Sequence, residues 1–413
     1  MTSDELPIRV AADDDFRTIG RLLSTAFNDT PSEDEEADRV EHGIFEPDRS
    51  LVVTDGDEIV GHAASFTREM TVPGAVLPAA HVTMVGVVPT HTRRGLLRRM
   101  MIRQLRDVRE LGEPFAALWA SEGRIYQRFG YGLAAPKLGF EIDSREVRLP
   151  EPDPTAGPSK LRGIELAAAQ PELAKVYDQM RTDRPGWSSR DDRWWAYVLL
   201  DTPNRRDGGT PRRVLLHEGP SGVDGYALWR GKSLWDDSGP RGDVLVREVV
   251  ATTLTGYLAM WRFLLSVDLT RTTRYWMGSV DEPLLYLANE PRRLGARLGD
   301  GLWVRLVDVG SALAGRRYQA PVDVVFEITD ALLPENAGRW RLVAGPDGTT
   351  CERTTAPADL ACDVSALAAA YLGGPTLGGL ATAGRVTELR PGALPAASAA
   401  FGWHRAPSGT EIF

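Results

Sequence analysis

The stretch HVTMVGVVPTHTRRGLLRRMMIRQLRDVRELGEPFAALWASEGRIYQRFGYG, His81 to Gly132, decides how this chain is read. His81–Val88 is rich in β-branched residues and reads as a buried strand. Pro89–Thr92 breaks that strand in a polar loop. Arg93–Gly95 opens a helix on which Leu96, Leu97, Met100, Met101, Leu105 and Val108 share one face. Pro114–Ala120 is a second apolar strand; Ser121 and Glu122 follow, then a short helix carrying Tyr126.

A strand feeding an Arg-Arg-Gly turn at a helix start is an anion cradle. The first amides of a helix have no intrahelical partner and point at whatever lies beyond the N-terminus. Gly95 has no Cβ to keep a phosphate from the backbone. Arg93 and Arg94 add fork-shaped charge that suits phosphate oxygens. The same residues also describe a turn glycine with two solvated arginines, and the turn alone does not separate the two.

Outward from that stretch, 413 residues exceed one ordinary core and suit two or three domains. A hydrophobic share of 43% with 25% charged residues is that of a folded globular protein. The formal net charge of -9 argues against nucleic acid or an anionic membrane as partner and is compatible with a cationic substrate. The two cysteines, Cys351 and Cys362, read as free thiols of a reducing cytosol rather than a pair. MTSDELPIRV lacks the basic and apolar regions of a signal peptide, so a cytoplasmic protein is expected. The most apolar helical window, Leu254–Leu265, holds Arg262 and is too short to span a bilayer. The six histidines show no metal-ligand spacing, and no metal is expected.

In chain order, Ile8–Val10 reads as a strand and Asp13–Phe27 as an amphipathic helix. Asn28–Glu41 is acidic; most of it suits a solvated helix face, and a few acids could line a polyamine entrance. Leu51–Val53 and Ile59–Ser65 pair across Asp55-Gly56-Asp57, and Met70–Pro78 continues the sheet. Gly139–Ile142 closes the first domain, and Pro150–Pro158 reads as a linker. Leu166–Thr182 and Arg190–Leu200 are helical; Arg213–His217 and Gly225–Arg230 are strands. VREVVATTLTGYLAMWRF, Val246 to Phe263, repeats the strand-loop-helix order of Val85–Ile102 without the Arg-Arg pair. Any strand-loop-helix unit would look similar. Pro291–Asp300 reads as a basic connector, and a third region starts near Leu302, with strands at Val322–Ile328, Trp340–Val343 and Thr349–Arg353 and short helices at Val364–Tyr371 and Thr376–Ala383.

The central stretch resembles the acetyl-CoA site of the GCN5-related N-acetyltransferases (GNAT). Their loop, Arg/Gln-x-x-Gly-x-Gly/Ala at a helix start, wraps the pyrophosphate of coenzyme A. Thr92, Arg93, Arg94, Gly95, Leu96 and Leu97 match it, with Thr92 in place of the basic first residue and Leu97 in place of the last small one. Within that superfamily the chain resembles the Eis-type (enhanced intracellular survival) acetyltransferases of actinobacteria. Val85–His91, Ala120–Gly132, Asp300–Arg305 and the terminal Phe413 carry the likeness, which covers nearly the whole chain.

The resemblance implies an α/β (α+β) fold: tandem GNAT-like domains followed by a sterol-carrier-like C-terminal domain. Residues 1–150 would bind acetyl-CoA, 151–300 would be a degenerate copy, and 301–413 would supply the C-terminal carboxylate. It implies that backbone at Val85, Gly86 and Val87 holds the pantetheine arm, with the Val85 N–H at the thioester oxygen. Arg93, Arg94, Gly95, Leu96, Leu97 and Arg98 would cradle the phosphates, with Ser121 and Glu122 beside the coenzyme. For Ser121 helix capping is the alternative. Tyr126 would be the general acid, a phenol of pKa about 10 facing a thiol of about 8.5. Composition alone would make it a packing aromatic beside Phe129 and Tyr131. The main-chain carboxylate of Phe413 would be the general base, acting through water, and burial would raise its basicity. Asp29, Thr83, Met84 and Glu411 are the implied substrate contacts, Met84 being equally a core residue. The implied activity is acetyl-CoA-dependent acetylation of aminoglycoside or polyamine amines, in a homohexamer. A lysine acetyltransferase for peptides or proteins and a non-enzymatic coenzyme A sensor are the alternatives.

Overall fold

The chain opens with β1 (Ile8–Val10), α1 (Phe16–Phe27) and α2 (Glu35–Ile44). The computed structural model describes residues 6–413 except Ser32, Pro152, Pro154, Ala156 and Asp347. The expected linker at Pro150–Pro158 falls partly outside the described residues, as do the first five residues of the N-terminal reading. Asp34 caps α2 by accepting from the amides of Glu36 and Ala37, both at 3.1 Å. Glu35, Glu36 and Asp38 occupy its first turn, where the helix dipole favours acids. That accounts for much of the acidic run without a ligand.

β2 (Ser50–Asp55) and β3 (Glu58–Val72) form the expected hairpin, with Gly56 at φ 56° in its turn. The strand expected through Met70–Pro78 is instead broken at Pro73-Gly74, where Gly74 takes φ 67°. The chain returns as β4 (Ala75–Val87). α3 (Leu96–Glu110), β5 (Phe115–Trp119), α4 (Gly123–Gln127) and β6 (Gly132–Asp143) follow. α3 buries Leu96, Met100, Met101, Leu105 and Val108, the stripe that its sequence sets on one face.

Then come β7 (Lys160–Ile164), α5 (Gln170–Arg181), α6 (Asp192–Leu199), β8 (Arg213–Gly219) and β9 (Gly222–Lys232). A two-stranded ribbon of β10 (Trp235–Asp236) and β11 (Gly239–Pro240) leads to β12 (Gly242–Ala251), α7 (Leu254–Leu265), β13 (Thr270–Gly278) and α8 (Leu284–Leu287). β14 (Arg297–Leu306) takes in the last four residues of the expected connector, Arg297–Asp300. The last region holds α9 (Val309–Gly315), β15 (Val322–Thr329), β16 (Gly338–Gly345), β17 (Gly348–Arg353), β18 (Leu360–Asp363), α10 (Val364–Ala370), α11 (Leu377–Thr382), β19 (Val386–Glu388) and α12 (Ala393–Phe401).

These elements gather into two units. The first comprises residues up to Ala134, Leu302–His404 and Ile412–Phe413; the second comprises Ala135–Gly301 and Arg405–Glu411. In the first, strands run in the order β1-β2-β3-β4-β5-β14, and a second sheet runs β17-β16-β15-β18-β19. Leu302–Leu306, read from sequence as the start of a third region, pairs antiparallel with Trp119–Phe115 of β5. Arg305 fixes that strand: its buried guanidinium donates to both Asp330 oxygens, at 2.8 and 2.6 Å. In the second unit the order is β6-β13-β12-β9-β8-β7. Cys351 and Cys362 are free and buried, and burial pushes both thiols up to about 12.

Candidate active site

β4 and β5 are parallel neighbours over three residues only: Ala79, Ala80 and His81 against Phe115, Ala116 and Ala117. Past His81 the two strands part. On its other edge β4 stays paired with β3, but through a bulge. Ala64 faces Thr83 and His62 faces Gly86, so Met84 and Val85 share Ala63. Met84 takes φ 50°, a left-handed conformation that costs a non-glycine residue about 1–2 kcal/mol. Its carbonyl accepts a hydrogen bond from His62 Nδ1 at 2.7 Å. Burial pushes the His62 imidazole down to about 4, so the ring is neutral and carries its proton on Nδ1.

The extra residue resets which side chains face which way. Val82 packs with Met101 and Leu105 on the α3 side, and Val85 and Val87 return to that side. Met84 packs with Phe16 and Leu23 on the α1 side. By strand alternation Thr83 shares that face. A Cβ on Gly86 would meet Ala26 and Leu23 at 3.2 Å, so glycine lets α1 lie close against the bulge.

The parting strands leave an open cleft of about 860 Å³. Val85, Gly86 and Val87 form one wall. Arg93, Gly95, Leu96, Leu97 and Arg98 line it at the start of α3. Gly95 is the N-cap of α3 at φ 81°; a Cβ there would touch nothing within 4 Å, so the backbone angle, not crowding, demands glycine. Arg94 is exposed and does not line the cleft. Ser121, Glu122 and Tyr126 form the opposite wall. The N-cap of α4 is Glu122 and has no side-chain cap, so Ser121 is not a helix cap. Glu122 is instead paired with Arg124 at 2.7 Å.

Tyr126 is 7% exposed and packs edge-on to Tyr131, ring centroids 5.9 Å apart. Burial pushes its phenol up to about 12, so it keeps its proton at neutral pH. The chain's last residue, Phe413, belongs to the same unit, its ring edge-on to the buried His81 at 4.5 Å. By alternation His81 faces away from Val82, on the side of Thr83.

Two expected substrate contacts lie elsewhere. Asp29 is exposed in the loop after α1, where its carboxylate accepts from the Thr30 amide at 2.8 Å, and it does not line the cleft. Glu411 is buried in the second unit, where its carboxylate accepts from Arg190 Nε at 2.7 Å. Conversely, Phe27 and Asn28 at the end of α1, Arg124 on α4 and Arg128 at its C-cap line the cleft without having been singled out from sequence. The two arginines stand one turn apart inside Ala120–Gly132, a spacing that puts both on one helix face. Among the described residues there is no group of three metal-ligating side chains, and no helix is long and apolar enough to cross a membrane.

Three family models match the chain: an acetyltransferase (GNAT) domain over residues 7–134, a second acetyltransferase (GNAT) domain over 186–306, and a sterol carrier protein domain over 309–408. An uncharacterised N-acetyltransferase of Streptomyces avermitilis is 44% identical over 408 residues, 98% of each chain. N-acetyltransferase Eis of Mycobacterium tuberculosis is 33% identical over 362 residues, 86% of this chain and 87% of that one. The crystal structure of Eis1 from Mycobacterium abscessus superposes with a TM-score of 0.84 at 33% identity, covering 98% of this chain and all of that one.

Proposed function

The chain belongs to the Eis-type N-acetyltransferases of the GNAT superfamily, and from that premise we propose that it acetylates primary amines of aminoglycosides or similar polyamines, at several positions on one molecule. The observation that carries this reading is the cleft where β4 and β5 part, with an arginine-bearing helix N-terminus at one wall and a protonated phenol at the other.

In this reading the main chain at Val85, Gly86 and Val87 holds the pantetheine arm of acetyl-CoA as an added strand. The α3 amides beyond Gly95, with Arg93 and Arg98, take the pyrophosphate; Arg94 adds charge from outside the cleft. Ser121 and Glu122 lie beside the coenzyme. The Phe413 carboxylate accepts the amine proton through water, and the freed amine attacks the thioester carbonyl. The Val85 N–H meets the negative charge that develops on the carbonyl oxygen. As the C–S bond breaks, Tyr126 passes its proton to the departing sulfur. Support for the base comes from the docked Phe413 ring, since chain ends ordinarily fray. Thr83 and Met84 face the amine, and the net charge of -9 favours a polycation. The family likeness further implies a cytoplasmic homohexamer, which sedimentation tests.

Thiol release from acetyl-CoA, measured over a panel of aminoglycosides, linear polyamines and lysine peptides, decides the substrate class. Turnover on lysine peptides in preference to every aminoglycoside and polyamine would reject this reading.

A further inference from the structure

The second unit repeats the features that open the cleft in the first. β12 and β13 are parallel neighbours over Gly242–Val246 only, after which β12 runs on to Ala251 paired with β9 alone. Its register against β9 shifts between Val246 and Glu248, where β4 carries the Met84 bulge. Yet the helix that follows is capped by Thr253, whose hydroxyl accepts from the Gly256 amide at 3.1 Å, and no arginine pair stands at its start. The space beside β12 is only about 110 Å³, and Ser408, Gly409 and Thr410 of the chain's own tail form part of its wall.

The tail is held there by a dense set of bonds. Ser408 N donates to the Pro185 carbonyl at 3.0 Å, and Trp187 Nε1 donates to Ser408 Oγ at 3.1 Å. Gly186 takes φ 92° directly beneath it; a Cβ there would stand 2.4 Å from the Ser408 carbonyl oxygen. Ala406 N donates to Asp281 at 2.9 Å, and Arg184 donates to the Ala406 carbonyl at 2.9 Å. At the end of the run lies Arg190, its side chain fully buried, stacked over Tyr177 and Trp195. It donates to both oxygens of Glu248, at 3.0 and 2.7 Å, to Thr410 Oγ1 at 3.2 Å, and to Glu411 Oε2.

We propose that the second GNAT domain is the receptor for the chain's own C-terminal segment, residues 405–411, and that Arg190 is a positioning residue for the terminal carboxylate. The notch that admits the coenzyme's arm in the first domain is filled in the second by polypeptide. Two residues of extended chain reach at most about 7 Å, so fixing Glu411 confines Phe413 to a small volume. A buried arginine satisfied by two carboxylates fixes orientation as well as distance, because its planar fork donates to each partner in a set direction. The kinetic part of this inference rests on the reading of the Phe413 carboxylate as base.

The test uses the full-length Glu411→Gln variant. It is isosteric and leaves Arg190 paired with Glu248, so the domain keeps its buried charge compensated. Release of Phe413 by carboxypeptidase, followed by mass spectrometry, is expected to speed up at least about tenfold. kcat is expected to fall at least about tenfold with KM for acetyl-CoA unchanged, and Arg190→Lys, which keeps the charge but not the fork, should fall between wild type and Glu411→Gln in both readouts. Unchanged carboxypeptidase release in a variant that melts like wild type would overturn the proposal. Faster release with unchanged kcat would uphold the seat and reject Phe413 as the base.

Discussion

The ring of Phe413 meets the ring of His81 edge-on, with centroids 4.5 Å apart and planes 61° from parallel. His81 is the last residue of β4 to pair with β5. The side chain of Phe413 therefore rests on the residue at which the sheet opens.

Appending one residue after Phe413 moves the terminal carboxylate by about 3.5 Å and replaces it with an amide. Loss of a positioned base lowers kcat by roughly 10²-fold or more. Acetyl-CoA affinity, measured by calorimetry, should stay within about twofold, since Val85–Val87 and the start of α3 are untouched.

Tyr126→Phe should lower kcat about 10²-fold or more while leaving the fold intact, because the phenol's ring packing is retained. The sign of its pH behaviour follows from burial, which raises the phenol to about 12. The acid form thus persists well above its ordinary titration range. In wild type, kcat/KM should show no loss centred near pH 10; a loss there would mean that the phenol titrates at its ordinary value of about 10.

Arg93 and Arg94 separate the cleft from its surroundings. Arg93→Ala should raise KM for acetyl-CoA about tenfold or more, the worth of a charge-assisted contact, and steepen no further with salt. Arg94→Ala should change it less than about threefold, because Arg94 does not line the cleft. Steady-state kinetics at two ionic strengths distinguishes them.

His62 makes the bulge acid-sensitive. Its folded pKa is depressed from 6.5 to about 4 by burial, so its contribution is present above about pH 6.5 and lost as pH falls toward 4. Between about pH 7 and about pH 4.5 that amounts to about 2.5 kcal/mol of unfolding free energy. His62→Asn keeps a donor for the Met84 carbonyl without the titration. Urea denaturation at the two pH values should show a smaller acid loss in the variant by about that amount.

Local chemistry made the cleft legible. A strand, an Arg-Arg-Gly turn and an apolar helical stripe each follow from residue type and spacing; that Val85, Gly95 and Tyr126 stand about one opening was implied by the family resemblance, and all three line the cleft. What escaped depends on partners distant in sequence. The Met84 bulge exists only against Ala63 on another strand. Leu302–Leu306 looks like the start of a new region until it pairs with β5, more than 180 residues earlier. Arg190 carries no local mark of importance, because Glu248 and Glu411 lie 58 and 221 residues away. The Pro73-Gly74 turn is the exception: its Pro-Gly dipeptide is a local turn signal that the reading of one continuous strand passed over.

The docking of Phe413 on His81 bears on biosynthesis. A terminal carboxylate does not exist while the chain is esterified to transfer RNA; termination creates it. Under the proposed chemistry the enzyme therefore lacks its base throughout translation and gains it at the release step itself, so a stop-codon readthrough product that still binds acetyl-CoA would spend it roughly 10²-fold more slowly.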